Sequence, residues 1–428
     1  MNKNIKLAVA GAVLALSATV ANAGIIIPAG DWTVDINGNL NSFYTNKTTD
    51  YSWKNTWNGG ESDHWKSASG NSFGTGLLPS QFGIGAKTRQ NDLDVAFQFS
   101  FFTGTSQGNG SNLGDGNNSL NIRQAYLTFG DKSWGTIKMG RDLGVFGSDA
   151  ILSDMTLLGV GVSGTTSGFG NSGTPAASNN STLGRIGSGY LYANWYGQVQ
   201  YQSPNWNGFQ LTAAIQEAYN AEAAYNNHNV AFAGKATYDF AQNDVTGRVW
   251  VGAANAKQVD EGNRIKAYEI GAKAAFQGFT LVGYYYDADN ADSQYGAVSS
   301  RKYEDSVPGW NDSGVGGIIG GTEFNTKDSG GYVQATYTIP GIGTKLGASW
   351  GQSNSNAENG VNGAIDNKIE NESWIVGAYH PLTKHLNLVA EYTNQQITYT
   401  NRSAWGNHTH NEGKAEADTV SLGAILFF

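Results

Sequence analysis

Residues 32–41 read WTVDINGNLN, and the alternation inside this short run decides the fold. Trp32, Val34, Ile36 and Leu40 fall on one side of an extended chain, and Thr33, Asp35, Asn37, Asn39 and Asn41 on the other. Successive side chains of a strand point to opposite faces, so this segment has one apolar and one hydrated face. Residues 92–102 repeat the arrangement, with Leu93, Val95, Phe97, Phe99 and Phe101 against Asp92, Asp94, Gln98 and Ser100. Only Phe102 breaks the polar side.

Working outward, comparable runs stand at 81–89, 120–130, 133–141, 190–203, 209–219, 229–240, 243–256, 266–276, 279–288, 330–339, 343–353, 371–380, 385–398 and 417–428. With the first two they make about 16 strands, each near the ten residues that cross a bilayer as a tilted β-strand. Their connections alternate in length. Short turns such as 130–132, 204–208, 277–278, 340–342 and 381–384 face long Gly/Asn/Ser-rich segments at 45–76, 104–119, 142–188, 289–328, 354–370 and 399–416. Short turns on one side and long loops on the other distinguish a transmembrane barrel from a soluble sandwich. The expected fold is therefore an all-β, transmembrane antiparallel barrel. The run 419–428, with Val420, Leu422, Ala424, Leu426 and Phe428 on one face, reads as its closing strand. Tyr44, Tyr126, Trp206, Phe209, Phe279, Trp350, Tyr392 and Phe428, at strand ends, read as interfacial girdles.

Composition agrees. The 428 residues hold 58 glycines, 51 aromatics (12 Trp, 21 Tyr, 18 Phe), no cysteine and only 14% charged residues, about half the charge of an ordinary soluble chain. A net charge of −9 makes nucleic acid an unsuitable partner. Without cysteine there is neither a disulfide framework nor a thiolate site. Lys3 and Lys6, the small apolar run to Val20 and Ala21-Asn22-Ala23 have the three-part form of a secretory signal, so residues 1–23 are expected to be removed and the barrel to occupy 24–428.

Three stretches resemble the trimeric porins of Gram-negative outer membranes: GTIKMGRDLGVFG (135–147), YGQVQYQSPNWNGFQLTAAI (196–215) and HPLTKHLNLVAEYTN with the final SLGAILFF. The second carries the Tyr-x-Ser-Pro-x-aromatic-x-Gly-Phe pattern at Tyr201, Ser203, Pro204, Trp206, Gly208 and Phe209. The resemblance implies a homotrimer in outer-membrane lipid, passing small hydrophilic solutes and ions by passive diffusion. It also implies that the strand ending in Gly140-Arg141 leads into a third loop, here 142–188, which folds inward as a constriction with its acids opposite basic side chains on the wall. The acidic Pro-Glu-Phe stretch of that loop is replaced by SDAILSDMTLLGVG (148–161), so solute preference does not carry over.

Alternation independently aims Lys87, Arg123, Lys138, Lys235, Arg248, Lys273 and Lys345 into the lumen, together with Asp92, Asp94, Asp239, Glu269 and Glu391. Asp142, Asp149 and Asp154 belong to the inward loop. The expected pore-lining set is Lys87, Arg123, Lys138, Arg141, Asp149, Asp154, Lys235, Arg248 and Lys273, since charge at the narrowest point governs which ions pass. Two other readings stay open: a substrate-specific porin of 18 strands for a sugar or carboxylate, with Trp53, Trp57 and Trp65 as stacking surfaces, and a barrel that merely anchors an adhesin or membrane enzyme.

Nothing suggests catalysis or a cofactor. GVGVSG (159–164) matches a dinucleotide fingerprint, but no βαβ unit surrounds it. His408 and His410 form a close pair without further obvious ligands. The run Asp287, Asp289, Asn290, Asp292 offers oxygen ligands for calcium at a spacing unlike an EF-hand.

Overall fold

A computed structural model describes residues 24–57, 60–105, 120–161, 193–217, 230–257, 264–291, 325–358, 365–403 and 409–428. Eighteen strands form one sheet. In order they are β1 (Ile25–Ala29), β2 (Trp32–Trp57), β3 (Gly60–Gly74), β4 (Ser80–Gln90), β5 (Leu93–Thr103), β6 (Asn121–Asp131), β7 (Gly135–Leu143), β8 (Trp195–Gln202), β9 (Phe209–Glu217), β10 (Val230–Gln242), β11 (Val245–Lys257), β12 (Arg264–Phe276), β13 (Phe279–Asp289), β14 (Asn325–Thr338), β15 (Lys345–Glu358), β16 (Ile365–Pro381), β17 (Leu386–Ser403) and β18 (Thr409–Phe427).

Two of the eighteen share positions with others, and the closed barrel has 16. On one side of β2, β3 pairs above Phe43 and β4 pairs below Asn39, so these two make a single interrupted strand. On the other side β18 pairs with residues 39–56 of β2, and β1 fills the place beneath it. Every neighbouring pair is antiparallel, with β9–β10 and β18–β2 completing the ring. The backbone of Phe428 exchanges two hydrogen bonds with Gly38, at 2.8 and 3.1 Å. A Cβ at Gly38 would meet the Gln81 carbonyl at 2.3 Å and the Phe428 ring at 2.8 Å, so the closure requires glycine there. A closed ring leaves no edge, as a lipid-exposed sheet demands.

The short turns are built from residues that accept positive φ. Asn91 and Asp92 (φ 50° and 61°) join β4 to β5, and Gln277 and Gly278 (φ 46° and 87°) join β12 to β13, the geometry that suits the twist of a two-residue hairpin. Asp92 thus belongs to a turn and not to the lumen wall.

The alternation holds around the ring. Leu40, Leu127, Ile270, Val333 and Leu422 are exposed on the outside, while their neighbours Asn39, Asn41, Thr128, Glu269, Gln334 and Ser421 face inward. Tyr44, Trp206, Phe209, Phe279 and Trp350 are exposed outward as expected. Tyr126 is not in the girdle: it faces inward, with the Lys138 ammonium 4.8 Å from its ring centroid.

Strand heights differ greatly. Strands β7, β8 and β9 have 9, 8 and 9 residues, whereas β16, β17, β18 and β2 have 17, 18, 19 and 26. Much of the segments 45–76, 354–370 and 399–416 is therefore strand and not loop. These extensions are Thr/Ser/Asn-rich on both faces, which removes the hydropathy contrast that reveals a strand in sequence.

Candidate functional site: the lumen and its inward loop

The chain leaves β7 at Leu143 and turns into the barrel. Gly144 donates its N–H to the carbonyls of Ala193 (3.1 Å) and Asn194 (2.8 Å), which ties the two ends of the loop root together. A short helix, α1 (Ser148–Leu152), follows Gly147 (φ 75°), and a 3₁₀ turn (Met155–Leu158) follows Asp154. Segment 143–161 is fixed to the wall at successive places. Asp149 holds Lys235 Nζ at 2.5 Å and an Arg248 guanidinium nitrogen at 2.9 Å. Arg248 also grips Asp239 through two nitrogens, at 2.6 and 2.8 Å. Lys235 donates to Ser148 Oγ at 2.8 Å, and the Gly147 N–H donates to Glu269 Oε2 at 3.1 Å.

Farther along, neutral groups take over. Tyr332 donates its hydroxyl to the Ala150 carbonyl at 2.7 Å. The Gln334 amide accepts from the Met155 N–H (2.8 Å) and donates to the Ser153 carbonyl (3.0 Å). The Leu77 N–H donates to the Gly159 carbonyl at 3.0 Å. Finally Glu391 Oε2 accepts from the N–H groups of Val160 (2.7 Å) and Gly161 (2.8 Å), while Oε1 accepts from the Tyr379 hydroxyl at 2.6 Å. The glycine-rich run at 159–161 therefore presents its amides to a carboxylate of the wall. From β10–β12 to β17 and the β3–β4 junction, the segment crosses the lumen.

Apolar side chains line the barrel interior where this segment lies on it. Trp250, Tyr284, Tyr286 and Tyr332 form a platform beneath Ala150 and Ile151, with Trp250 and Tyr284 stacked at 6.4 Å between centroids. Phe43, Ile375, Tyr379, Val389 and Ile425 receive Met155 and Val160. Phe102, which breaks the polar face of β5, packs with Leu78 and Trp195 at the loop root. Its inward aromatic is the signal that something covers the wall there.

The expected lining residues separate into groups. Lys235, Arg248 and Asp149 meet in the ion-pair cluster just described. Burial pushes the Asp149 carboxyl up, but the ammonium of Lys235 and the guanidinium of Arg248 outweigh it and hold the group below the usual carboxylate range. Asp154 caps the 3₁₀ turn, with Oδ1 accepting from the N–H (2.9 Å) and hydroxyl (2.8 Å) of Thr156. Lys138 pairs with Asp142 at 2.5 Å, and Gln124 donates to the same carboxylate at 2.9 Å.

Arg123 reaches the interior because of a β-bulge opposite Ser100 and Phe101, with its guanidinium carbon 4.9 Å from the Phe102 ring centroid. Lys87 is exposed toward the periplasmic end, one residue along from the aligned Ala86 and Thr88. Lys273 lies directly opposite Arg248 in register, and Lys345 sits 4.8 Å from the Tyr379 ring centroid. Arg141 departs from expectation. Lys138 and Asp142 both face in, so the intervening Met139 and Arg141 face out, and register aligns Arg141 with the outward Ala125. Asp94 pairs with Arg89 at 2.9 Å, and Arg89 also holds Asp131 at 2.9 Å, beside the short turns.

Among the described residues no group of three acids or histidines could hold a metal ion. In the proposed calcium run, Asp289 pairs with Lys327 (2.6 Å) and the Asn290 side chain bonds the backbone at Arg264 and Thr326. Asp292 and His408, and the side chains of His410, Trp53, Trp57 and Trp65, lie outside the described residues. The anchoring residues Tyr332, Gln334 and Tyr379 escaped the sequence because single uncharged side chains on a strand give no pattern.

The family described as Gram-negative porin matches residues 9–400. The chain belongs to this family. No curated protein matches it. Among solved structures, OmpF of Salmonella typhi in complex with daunomycin is similar at 16% identity, over 94% of this chain and 100% of that one, with a TM-score of 0.53. The outer membrane channel DcaP of Acinetobacter baumannii shares 15% identity over 95% and 100% of the two chains, with a TM-score of 0.51. An anion-selective porin from Comamonas acidovorans shares 15% over 91% and 100%, with a TM-score of 0.50. At such identities the likeness is one of fold. The porin is an outer-membrane channel for passive diffusion, and segment 143–161 lies inside its lumen.

Proposed function

We propose that this porin is a homotrimeric general-diffusion channel whose narrowest section is set by segment 143–161 and whose lumen favours anions. The observation that carries the reading is the state of the charges around the segment. Asp142, Asp149, Asp154, Glu269 and Glu391 are all buried; cations hold Asp142 and Asp149, Thr156 holds Asp154 Oδ1, the Gly147 N–H holds Glu269 Oε2, and backbone N–H groups with the Tyr379 hydroxyl hold Glu391. Lys87, Lys273 and Lys345 are less buried and make no ion pair among the described residues. A passing ion therefore meets ammonium groups before it meets carboxylates, and lumen charge biases permeation accordingly. The porin from Comamonas acidovorans, similar in fold, is anion-selective, which is in keeping with this.

Solutes move by diffusion through water, with no covalent step, cofactor or catalytic group. Trimer formation rests on the resemblance of the strand-turn-strand motif and the closing strand, and is supported by the apolar outer surface of Ile25, Ile27, Leu40, Phe82 and Phe99 beside the closure. Residues 1–23 serve export and are cleaved. The test is reconstitution of the purified porin in planar bilayers under a salt gradient. Conductance steps in groups of three, with a reversal potential of the sign set by chloride, are expected; single steps, or a cation-directed potential, would overturn the respective part.

A further inference from the structure

Gly24 and Asp35 meet on the inner face of the barrel seam. β1 pairs with the lower part of β2, with Ile26 opposite Asp35, and continuing that register places Gly24 opposite Asn37 on the same face. A Cβ built on Gly24 would stand 2.5 Å from Asp35 Oδ1, so glycine is what lets the carboxylate come this close. That oxygen is buried and has no hydrogen-bond partner. Lys87, the cation nearest to it along β4, lies opposite Thr33 and forms no ion pair with it. A buried acceptor without a donor costs free energy, and native chains rarely leave one in that state.

The Gly24 nitrogen is bonded to the same Cα and lies in the same small volume. While Ala23 is attached, it is an amide held in the plane of its peptide bond. Cleavage between Ala23 and Gly24 turns it into an ammonium with three donors, free to swing about the Cα–C bond. We infer that Asp35 is the receptor for the α-ammonium that leader removal creates at Gly24, an ion pair that pins the free end of β1 to β2 beneath β18. The inference rests on the proposed removal of residues 1–23 and gives that step a structural product: processing supplies the charge that a buried carboxylate of the wall lacks. β1 has use for such a pin, since it has only five residues and all are exposed. The Phe428 terminus, the other anion at the seam, already accepts from the Gly38 N–H at 2.8 Å.

The test uses the mature porin purified from outer membranes. Its intact mass gives the first residue, and a small amine-acylating reagent at neutral pH then labels the α-amine, read from the tryptic peptide that ends at Lys47. A chain beginning at Gly24 with a slowly labelled amine is expected. Asp35→Asn should speed labelling about tenfold, the loss of one charge-assisted hydrogen bond, while Asp92→Asn leaves the rate unchanged. Should Asp35→Asn fail to show heat-modifiable migration, a serine inserted between Ala23 and Gly24 moves the ammonium one residue away with Asp35 intact, and it should label equally fast. A mature chain that starts at another residue overturns the cleavage reading and the pairing with it. A Gly24 start with the same labelling rate in the wild type, Asp35→Asn and the serine insertion overturns the pairing alone. Protection that persists in Asp35→Asn but is lost on insertion assigns the amine to the Phe428 carboxylate and likewise overturns it.

Discussion

The short wall of the barrel, β5–β9, and the tall wall, β15–β18 with β2, solve different problems with the same backbone. At roughly 3.3 Å per residue, β8 with its 8 residues has about 26 Å of strand, while β2 with its 26 has about 85 Å. Only the first is close to the ~25 Å apolar band of an outer-membrane barrel. The short wall carries charge inward: Lys138 with Asp142, and Arg123 over Phe102. It also roots the loop. Beyond Lys345 and Glu391 near its lower end, the tall wall carries Ser353, Ser355, Asn371, Ser373, Thr393 and Gln395 inward, buried and uncharged. Outside, its apolar band stops at Trp350, Trp374 and Val420 and gives way to Gln352, Glu372 and Asp418. Height beyond the lipid is thus built from backbone pairing and small polar side chains, and the charges that bear on permeation stay at membrane depth.

The sharpest attack on this contrast is Asp149→Ala. It leaves Lys235 and Arg248 facing each other without their shared anion, and removing one partner of a buried ion pair costs about 3–5 kcal/mol. The expected outcome is a lower temperature of heat-modified migration and a larger, noisier single-channel conductance. Acid should act in the same direction. The folded-state pKa of Asp149 lies below the unfolded value of about 3.9, so its contribution is complete above that value and is lost as pH falls through the folded pKa. Channel noise in the wild type should rise as pH falls below the unfolded carboxylate value of about 3.9, and Asp149→Asn, already noisy at neutral pH, should show no such acid limb.

A smaller effect separates two arginines of the short wall. Arg123→Glu should move the reversal potential toward cations, and Arg141→Glu should not, because its side chain faces away from the lumen. Equal shifts would mean that the register at β6–β7 is misread. On the tall wall Gln395→Ala removes one amide bond to Asn371, worth about 1 kcal/mol, with conductance unchanged. Least of all, replacing residues 48–69 by a tight turn should leave the channel conducting as before; a change in conductance would show that the upper extension of the tall wall takes part in permeation.

Most of the barrel could be read from sequence because lipid on one side and water on the other impose a period of two on each crossing segment. That reasoning reaches its end where the two solvents become one. The upper parts of β2, β3 and β16–β18 meet a polar environment on both faces, so they read as loops. It also misleads where a third environment, the inward segment, lies on the wall. Phe102 and Tyr126 point inward against the apolar-outward rule because Trp195 and Lys138 await them. A single bulged residue puts Arg123 inside, and an uninterrupted strand puts Arg141 outside; one residue of register decides each. The ion-pair cluster was legible in part, since Lys235 and Arg248 showed by parity and Asp149 by resemblance, but their meeting required the fold.

The two hydrogen bonds between Gly38 and Phe428 make the ring a single cooperative object in time as well as space. Until β18 is in place, β2 and β17 each present an unpaired edge, and no partial set of strands can hide both. The contact that ends the exposure joins residues nearly 400 positions apart, among the most distant pairings a chain of this length can make. Assembly therefore has to shelter open edges until β18 arrives, and a chain stopped short of it is left as a sheet with two templates for aggregation.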